Sequence, residues 1–239
     1  MRYPPKSQAP EFLDTREHDP GEFEGLLEAV RRTNRRYGGY ALVLGYLERF
    51  IPAIPHRPIT ILDVATASAD VPAAIARWAR AHGLAVRIAA LDIHPDIVRS
   101  ARRITAGTGV MLLRGDAFAL PFADRGVDIV VNALALHHFA FDDAVRILRE
   151  ITRVARAGFI VNDVLRSWSA YLGAIADTWV IGRNRLARHD GPVSVLRSFT
   201  WPEFHDLARA AGLDGVEIRR HRVQRAVIVR WPEGLRRGR

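Results

Sequence analysis

Residues 59–70 read ITILDVATASAD, and this stretch decides the fold. Ile59 to Val64 is a short unbroken apolar run, the mark of a strand buried on both faces. It ends on Asp63, then passes into small residues: Ala65, Thr66, Ala67, Ser68 and Ala69. A helix is expected from Pro72 to His82, with Pro72 in its first turn and Asp70 as cap.

The same alternation continues downstream. Apolar runs at 85–93, 110–117, 127–136 and 159–164 read as four further strands. Helices are expected at Pro95–Ala106 and Asp142–Val154. Strand and helix in strict alternation describe a parallel sheet covered by helices on both faces, a doubly wound α/β architecture. Residues 215–230 read as two strands with a tight reversal near Arg220–Arg222, an antiparallel pair at the sheet edge. Between strand five and this pair, residues 167–188 are helical and aromatic, with Trp168, Tyr171 and Trp179. HDGPVSVLRSF (189–199) reads as an irregular loop, because Asp-Gly-Pro is a strong turn signal. Residues 167–199 thus form an inserted lid, followed by a helix at Pro202–Ala211.

Upstream, residues 22–50 carry apolar positions at helical spacing, split into two helices by Gly38-Gly39. Pro52, Pro55 and Pro58 make a stiff connector. The division is therefore 1–58, an arm and two helices packing on the core, and 59–239, the main domain with its lid. The first residues hold no apolar h-region, so they read as a surface arm and not as a secretory signal.

Composition excludes several classes. The chain has 239 residues and no cysteine, which removes disulfides, thiolate metal sites and cysteine nucleophiles, and suits a reducing cytoplasm. No apolar stretch is long enough to span a membrane. The net charge is +9, and the excess lies in residues 164–239, with 14 basic and 7 acidic side chains. Aromatics do not interleave with these arginines, so they read as a solvated face and speak against a nucleic-acid partner. Monomer and homodimer stay open.

Ligands of an open parallel sheet bind beyond the carboxyl ends of its strands. A nicotinamide fold would need a GxGxxG loop after strand one, to cradle a pyrophosphate. That pattern is absent. Acids stand at the ends of the first three strands instead: Asp63, Asp92 and Asp116. Asp92 can take two ribose hydroxyls, Asp116 an exocyclic adenine amine, and the loop beside Asp63 a cationic group. These acids repel phosphate and accept a sulfonium nucleoside.

LDVATASAD, LDIHPDIVRSAR and RGDAFALPFADRGVDIVVNALALHHF together resemble the class I S-adenosylmethionine-dependent methyltransferases. The similarity is to the quinone-biosynthesis and type 11 small-molecule branch, and it covers about residues 59–163. NRLARHDGPVSVLRSFT resembles a subgroup of bacterial small-molecule methyltransferases more weakly. The resemblance implies a seven-stranded sheet of order 3-2-1-4-5-7-6 with strand seven antiparallel. It implies S-adenosylmethionine as donor and S-adenosylhomocysteine as product. The donor contacts would be Asp63, Ala65, Ala67, Asp92, Ile93, Asp116, Ala117 and Asn132. His138, Asp163 and His189 are the candidates for orienting or deprotonating a small-molecule acceptor, aromatic or quinone-like, methylated on oxygen or carbon. No metal is expected, because adjacent histidines usually diverge and no partner cluster is visible around His137 and His138. The family has glycines where this chain has Ala65, Ala67 and Ala69. If those positions need positive φ, each alanine costs about 1 kcal/mol or more. Two alternatives follow, a non-catalytic binding protein with a degenerate loop and an RNA methyltransferase.

Overall fold

The first strand, β1 (Ile59–Val64), is the sheet's organising element, buried along almost its whole length. The computed structural model describes residues 2–15, 19–180 and 184–235. A short 3-10 turn at Phe12–Asp14 leads to α1 (Pro20–Arg36) and α2 (Gly39–Phe50), which precede β1. Gly38 turns the chain between them with φ of 68°, where a side chain would be strained. Then follow α3 (Asp70–Ala81), β2 (Val86–Asp92), α4 (Pro95–Thr105), β3 (Met111–Arg114), β4 (Val127–Ala133), α5 (Phe141–Val154) and β5 (Ala155–Val164). The last part holds α6 (Trp168–Val180), α7 (Arg185–Arg197), α8 (Trp201–Ala210), β6 (Glu217–His221) and β7 (Arg225–Arg230).

The seven strands lie in the order β3-β2-β1-β4-β5-β7-β6. β7 runs antiparallel to both β5 and β6, and the pairs from β3 to β5 are parallel. The two-residue period of the strands divides the core. Leu62, Val64, Val130, Phe159 and Val161 face α5 and α8. Ile59, Ile61, Ile129, Val131 and Ile160 face α2 and α3. A strand that must supply both layers is mostly apolar, and its few buried polar side chains, such as Asp128 with Thr60 and Asn132 with the Val64 carbonyl, are hydrogen-bonded.

Three local expectations are corrected. Helix α3 starts at Asp70, two residues before the expected Pro72, and is capped by Ala69 in the left-handed region with no side-chain cap. The Asp70 carboxylate is used elsewhere, accepting from Asn34, Tyr40 and Ser68. Residues 189–197 are helical, not a loop, and α7 carries Pro192 in its interior. Tertiary contacts override the turn signal there. The Asp190 carboxylate accepts the main-chain N–H groups of Phe12 and Leu13, at 2.9 and 3.1 Å, and a Cβ on Gly191 would press into Thr178 of α6. Finally, the N-terminal segment is not a surface arm. The Pro4 carbonyl accepts from Arg166, Ser7 N donates to the Leu196 carbonyl, and Glu11 is buried.

Candidate active site

The loop after β1 bends through three left-handed residues, Ala65, Ala67 and Ala69, at φ of 54°, 47° and 55°. The backbone thus keeps a shape suited to glycine, with alanine methyls added. Its bends turn the Ala67 N–H onto Asp92 Oδ2 at 3.0 Å, and the His94 N–H meets Asp92 Oδ1 at 3.0 Å. Asp92 therefore ties the first loop to the end of β2. Burial pushes its carboxyl above the usual range, although these main-chain N–H groups pull the other way.

Asp63 is the more exposed electrostatically, though buried from solvent. Thr66 Oγ1 donates to its Oδ2 at 2.5 Å, while Oδ1 finds no hydrogen-bond partner among the described residues. Desolvation, reinforced by Asp70 and Asp92 and opposed by Thr66, raises its pKa to about 7. An unpaired buried carboxylate oxygen is costly, and a cation beside it would remove the cost.

These residues border a cavity of about 600 Å³, in the range of small-molecule sites. Its floor is Asp63, Ala65, Ala67, Asp92 and Ile93 at the strand ends. Its roof comes from α1, α6 and α7 and is largely apolar, with Val30, Ala170, Gly173, Ala174 and Val195. Trp168 and Tyr171, aromatics of the expected lid, pack edge-on to each other and are not among the lining residues. The Trp179 side chain and Arg236, Arg237 and Arg239 lie outside the described residues.

Other expected donor contacts sit apart from the cavity wall. Asp116 is exposed and its carboxylate accepts from Phe118 N at 2.9 Å, a turn-stabilising bond. Ala117 is buried in the core with Leu91 and Leu120. Asn132 donates to the Val64 carbonyl at 2.9 Å, locking β4 to the end of β1, with its Oδ1 unpartnered.

At the far end of the cavity, β4 runs into a 3-10 turn, Leu136–His138. Asp163, at the end of β5, does not face the cavity as expected. Its Oδ2 accepts the His137 N–H at 2.9 Å and its Oδ1 meets His137 Nδ1 at 2.7 Å. Burial alone would lower the His137 pKa, but Asp163 and Glu11 outweigh it and raise it to about 9. His137 keeps Asp163 ionised below the usual carboxylate range, against the effect of burial. His138 does line the cavity, with Nδ1 2.8 Å from Asp14 Oδ1. His189 does not: it is exposed on α7, packs on Phe12, and turns Nδ1 to Asp190 at 2.9 Å. The neighbouring Asp190 is the residue that reaches the wall, because the helix replacing the expected loop swings His189 outward.

Three wall residues escaped sequence reasoning. Glu11 comes from the segment before α1 and no local pattern marks it. Its Oε2 accepts from Ser194 Oγ at 2.5 Å, and its Oε1 has no hydrogen-bond partner among the described residues. His137 was visible in the His-His pair, but its pairing with Asp163 was not. Arg225 counted only toward the positive excess, yet it is buried on the wall between Asn162 and Asn34. The two histidines do not diverge: their rings lie 4.3 Å apart and tilt by 34°. Together with Glu11 they offer ligand atoms all within 4.8 Å of one another, so the expectation of no metal-competent cluster is corrected.

The strand order and the cavity over the β1 and β2 ends define the class I methyltransferase fold. Residues 62–161 match the family described as methyltransferase domain. By fold the chain is similar to class I methyltransferases, and the matched domain spans less than half of its length. Among curated proteins it is 33% identical over 97 residues to a demethylmenaquinone methyltransferase of Roseiflexus castenholzii, a match covering 41% of this chain and 38% of that protein. Solved structures share the fold at lower identity. A SAM-dependent methyltransferase from Aquifex aeolicus aligns with TM-score 0.59 and 16% identity, over 89% of this chain and 98% of the other. The mitomycin 7-O-methyltransferase MmcR aligns with TM-score 0.51 and 24% identity, over 72% and 49%. PigF, solved with SAH, aligns with TM-score 0.52 and 22% identity, over 71% and 49%.

Proposed function

We propose that this chain transfers a methyl group from S-adenosylmethionine to a small-molecule acceptor held beneath α1, α6 and α7. One observation carries the reading: a buried carboxylate oxygen of Asp63, without a hydrogen-bond partner among the described residues, faces a cavity that continues to a second polar corner at His137 and His138. When bound, the donor supplies an activated methyl on a sulfonium. Its cationic amino-acid end fits Asp63, and its ribose hydroxyls fit Asp92, whose oxygens retain lone pairs beyond the two main-chain bonds. The left-handed backbone at Ala65, Ala67 and Ala69 keeps the loop open enough for this fit.

The chain's own work is then alignment and exclusion of water. Correct placement of two reactants can supply roughly 7–11 kcal/mol of a barrier. The apolar roof suits an aromatic or quinone-like acceptor, and α6 and α7 act as its lid. Asp163 is a positioning residue, holding His137 so that Nε2 turns toward Glu11 and the cavity. An acceptor hydroxyl seated there meets Glu11 Oε1 and His138, so His138 stays a catalytic candidate and His189 is dropped. The apolar roof favours a small acceptor over RNA.

The alanine loop favours a second reading, a binding protein that no longer transfers methyl groups. Calorimetry with S-adenosylhomocysteine, followed by methyl-transfer assays on phenolic and quinol acceptors, tests both. Absence of heat at millimolar ligand would remove the proposal; binding without transfer to any acceptor would favour the second reading.

A further inference from the structure

We infer that Glu11, His137 and His138 form a binding site for a divalent first-row transition-metal ion at the acceptor end of the cavity. Ion binding stands on the local geometry alone; its catalytic use rests on the methyl-transfer reading above.

Asp163 fixes the first ligand. With Nδ1 of His137 engaged by the Asp163 carboxylate, the ring presents Nε2 as its free atom, the carboxylate–histidine arrangement that supports metal ligands. Nε2 lies 3.8 Å from Glu11 Oε1, and His138 Nδ1 lies 3.8 Å from the same oxygen. Those separations exceed hydrogen-bond length. Ligand atoms bound at about 2.0–2.2 Å in a tetrahedral shell lie roughly 3.4 Å apart, so the two imidazole–Glu11 separations need to close by only tenths of an ångström.

A second observation points to a cation. Glu11 is 2% exposed, yet Oε1 has no hydrogen-bond partner among the described residues. Arg197 brings a positive charge to the same corner, with Nε 3.7 Å from Glu11 Oε1 and a bond of 2.7 Å to Asp14. Four carboxylates, Glu11, Asp14, Asp163 and Asp190, meet at this corner against Arg197 and the His137 imidazole. His138 Nδ1 is hydrogen-bonded to Asp14 Oδ1 at 2.8 Å, so an ion taking Nδ1 replaces that proton and meets the Asp14 oxygen beside it. Two imidazoles with carboxylates suit zinc, iron(II), cobalt or manganese better than magnesium alone.

Glu11, Asp14, His137 and His138 all line the cavity, so an ion there keeps a position open to the acceptor. An acceptor hydroxyl bound to it would release its proton to solvent more readily. The oxygen lone pair then forms the new O–C bond while the C–S bond breaks and sulfur keeps the electron pair, leaving a neutral thioether.

The test is a titration of untagged, chelator-stripped protein with Co²⁺, followed in the visible d–d region. Saturable binding at one ion per chain, displaced by Zn²⁺, is the expected result. Glu11→Gln and His138→Gln should each weaken it by more than the roughly 10–100-fold expected for loss of a supporting residue. Binding of S-adenosylhomocysteine on the same samples reports that each variant is folded. No cobalt band in wild type, or unchanged affinity in both variants, overturns the site. Nucleoside binding without cobalt binding overturns the site and leaves methyl transfer standing. Cobalt binding without nucleoside binding supports the site while removing the methyl-transfer reading.

Discussion

Asp163 holds His137 at two points, accepting the main-chain N–H through Oδ2 and the ring Nδ1 through Oδ1, at 2.9 and 2.7 Å. Both residues are almost wholly buried. The pair fixes the 3-10 turn after β4 to the end of β5, so one carboxylate sets both the path of the chain and the direction of the imidazole. Removing one member of such a pair leaves an uncompensated buried group, which costs about 3–5 kcal/mol. Asp163→Ala should lose stability on that scale in urea unfolding. A loss under 1 kcal/mol would show that the pair does not anchor the turn.

Asp63 makes donor binding pH-dependent. Its carboxyl rises from 3.8 to about 7 in the folded chain, through desolvation first. A raised carboxyl pKa contributes stability that is fully present below the unfolded value and is lost as pH climbs toward the folded one. The ligand-free protein should therefore lose stability from this group between about pH 4 and 7. A cationic ligand favours the ionised form, so its binding should release a proton on the acid side of neutrality. S-adenosylmethionine affinity should rise with pH up to about 7 and then level off. Calorimetry in buffers of different ionisation enthalpy reads the proton release directly, and a flat profile would refute the role.

The alanine loop yields a contrast between two positions. Ala67 lines the cavity at φ of 47°, whereas Ala69 is fully buried against Ala90 and Ala101 at φ of 55°. Glycine relieves left-handed strain of about 1–2 kcal/mol at either site. At Ala69 the lost methyl packing, about 0.8 kcal/mol per buried carbon, offsets that gain. Ala67→Gly should stabilise the protein by about 1 kcal/mol and tighten S-adenosylhomocysteine binding. Ala69→Gly should leave both close to wild type. Equal shifts in melting temperature for the two variants would contradict this account.

Gly158 tests the sheet itself. It sits on β5 beside the register shift between Val127 and Ile129, where a Cβ would collide with the Arg230 carbonyl oxygen and press on Phe50. Gly158→Ala should cost about 3 kcal/mol, because strand β7 must move to admit the methyl. A variant with unchanged unfolding midpoint would mean that β7 yields freely.

The sheet was legible because its physics is local. Continuous apolar runs such as ITILDV can lie only between two helical layers, and the acid ending each run marks the ligand edge. Asp63 and Asp92 could be read from that rule, and the cavity borders both. Asp116 followed the same rule but turned to its own backbone, since a carboxylate two residues before a free N–H has a nearer partner. The acceptor end was not legible. Its wall joins Glu11, His137 and Asp190, with Asp163 behind His137; no spacing connects them, and the wall depends on α7 forming through a sequence that reads as a turn. Asp190 caps the Phe12 and Leu13 N–H groups, a bond that exists only once distant segments meet.

The placement of Glu11 separates folding from competence. Every strand and both core layers are encoded after residue 38, so a version trimmed past Glu11 would retain its architecture while losing a wall of the reaction chamber. The leading segment works as a stopper stitched across α7 through Ser7 and Leu196. One main-chain bond and the Asp190 carboxylate thus hold the segment that carries Glu11 against the cavity.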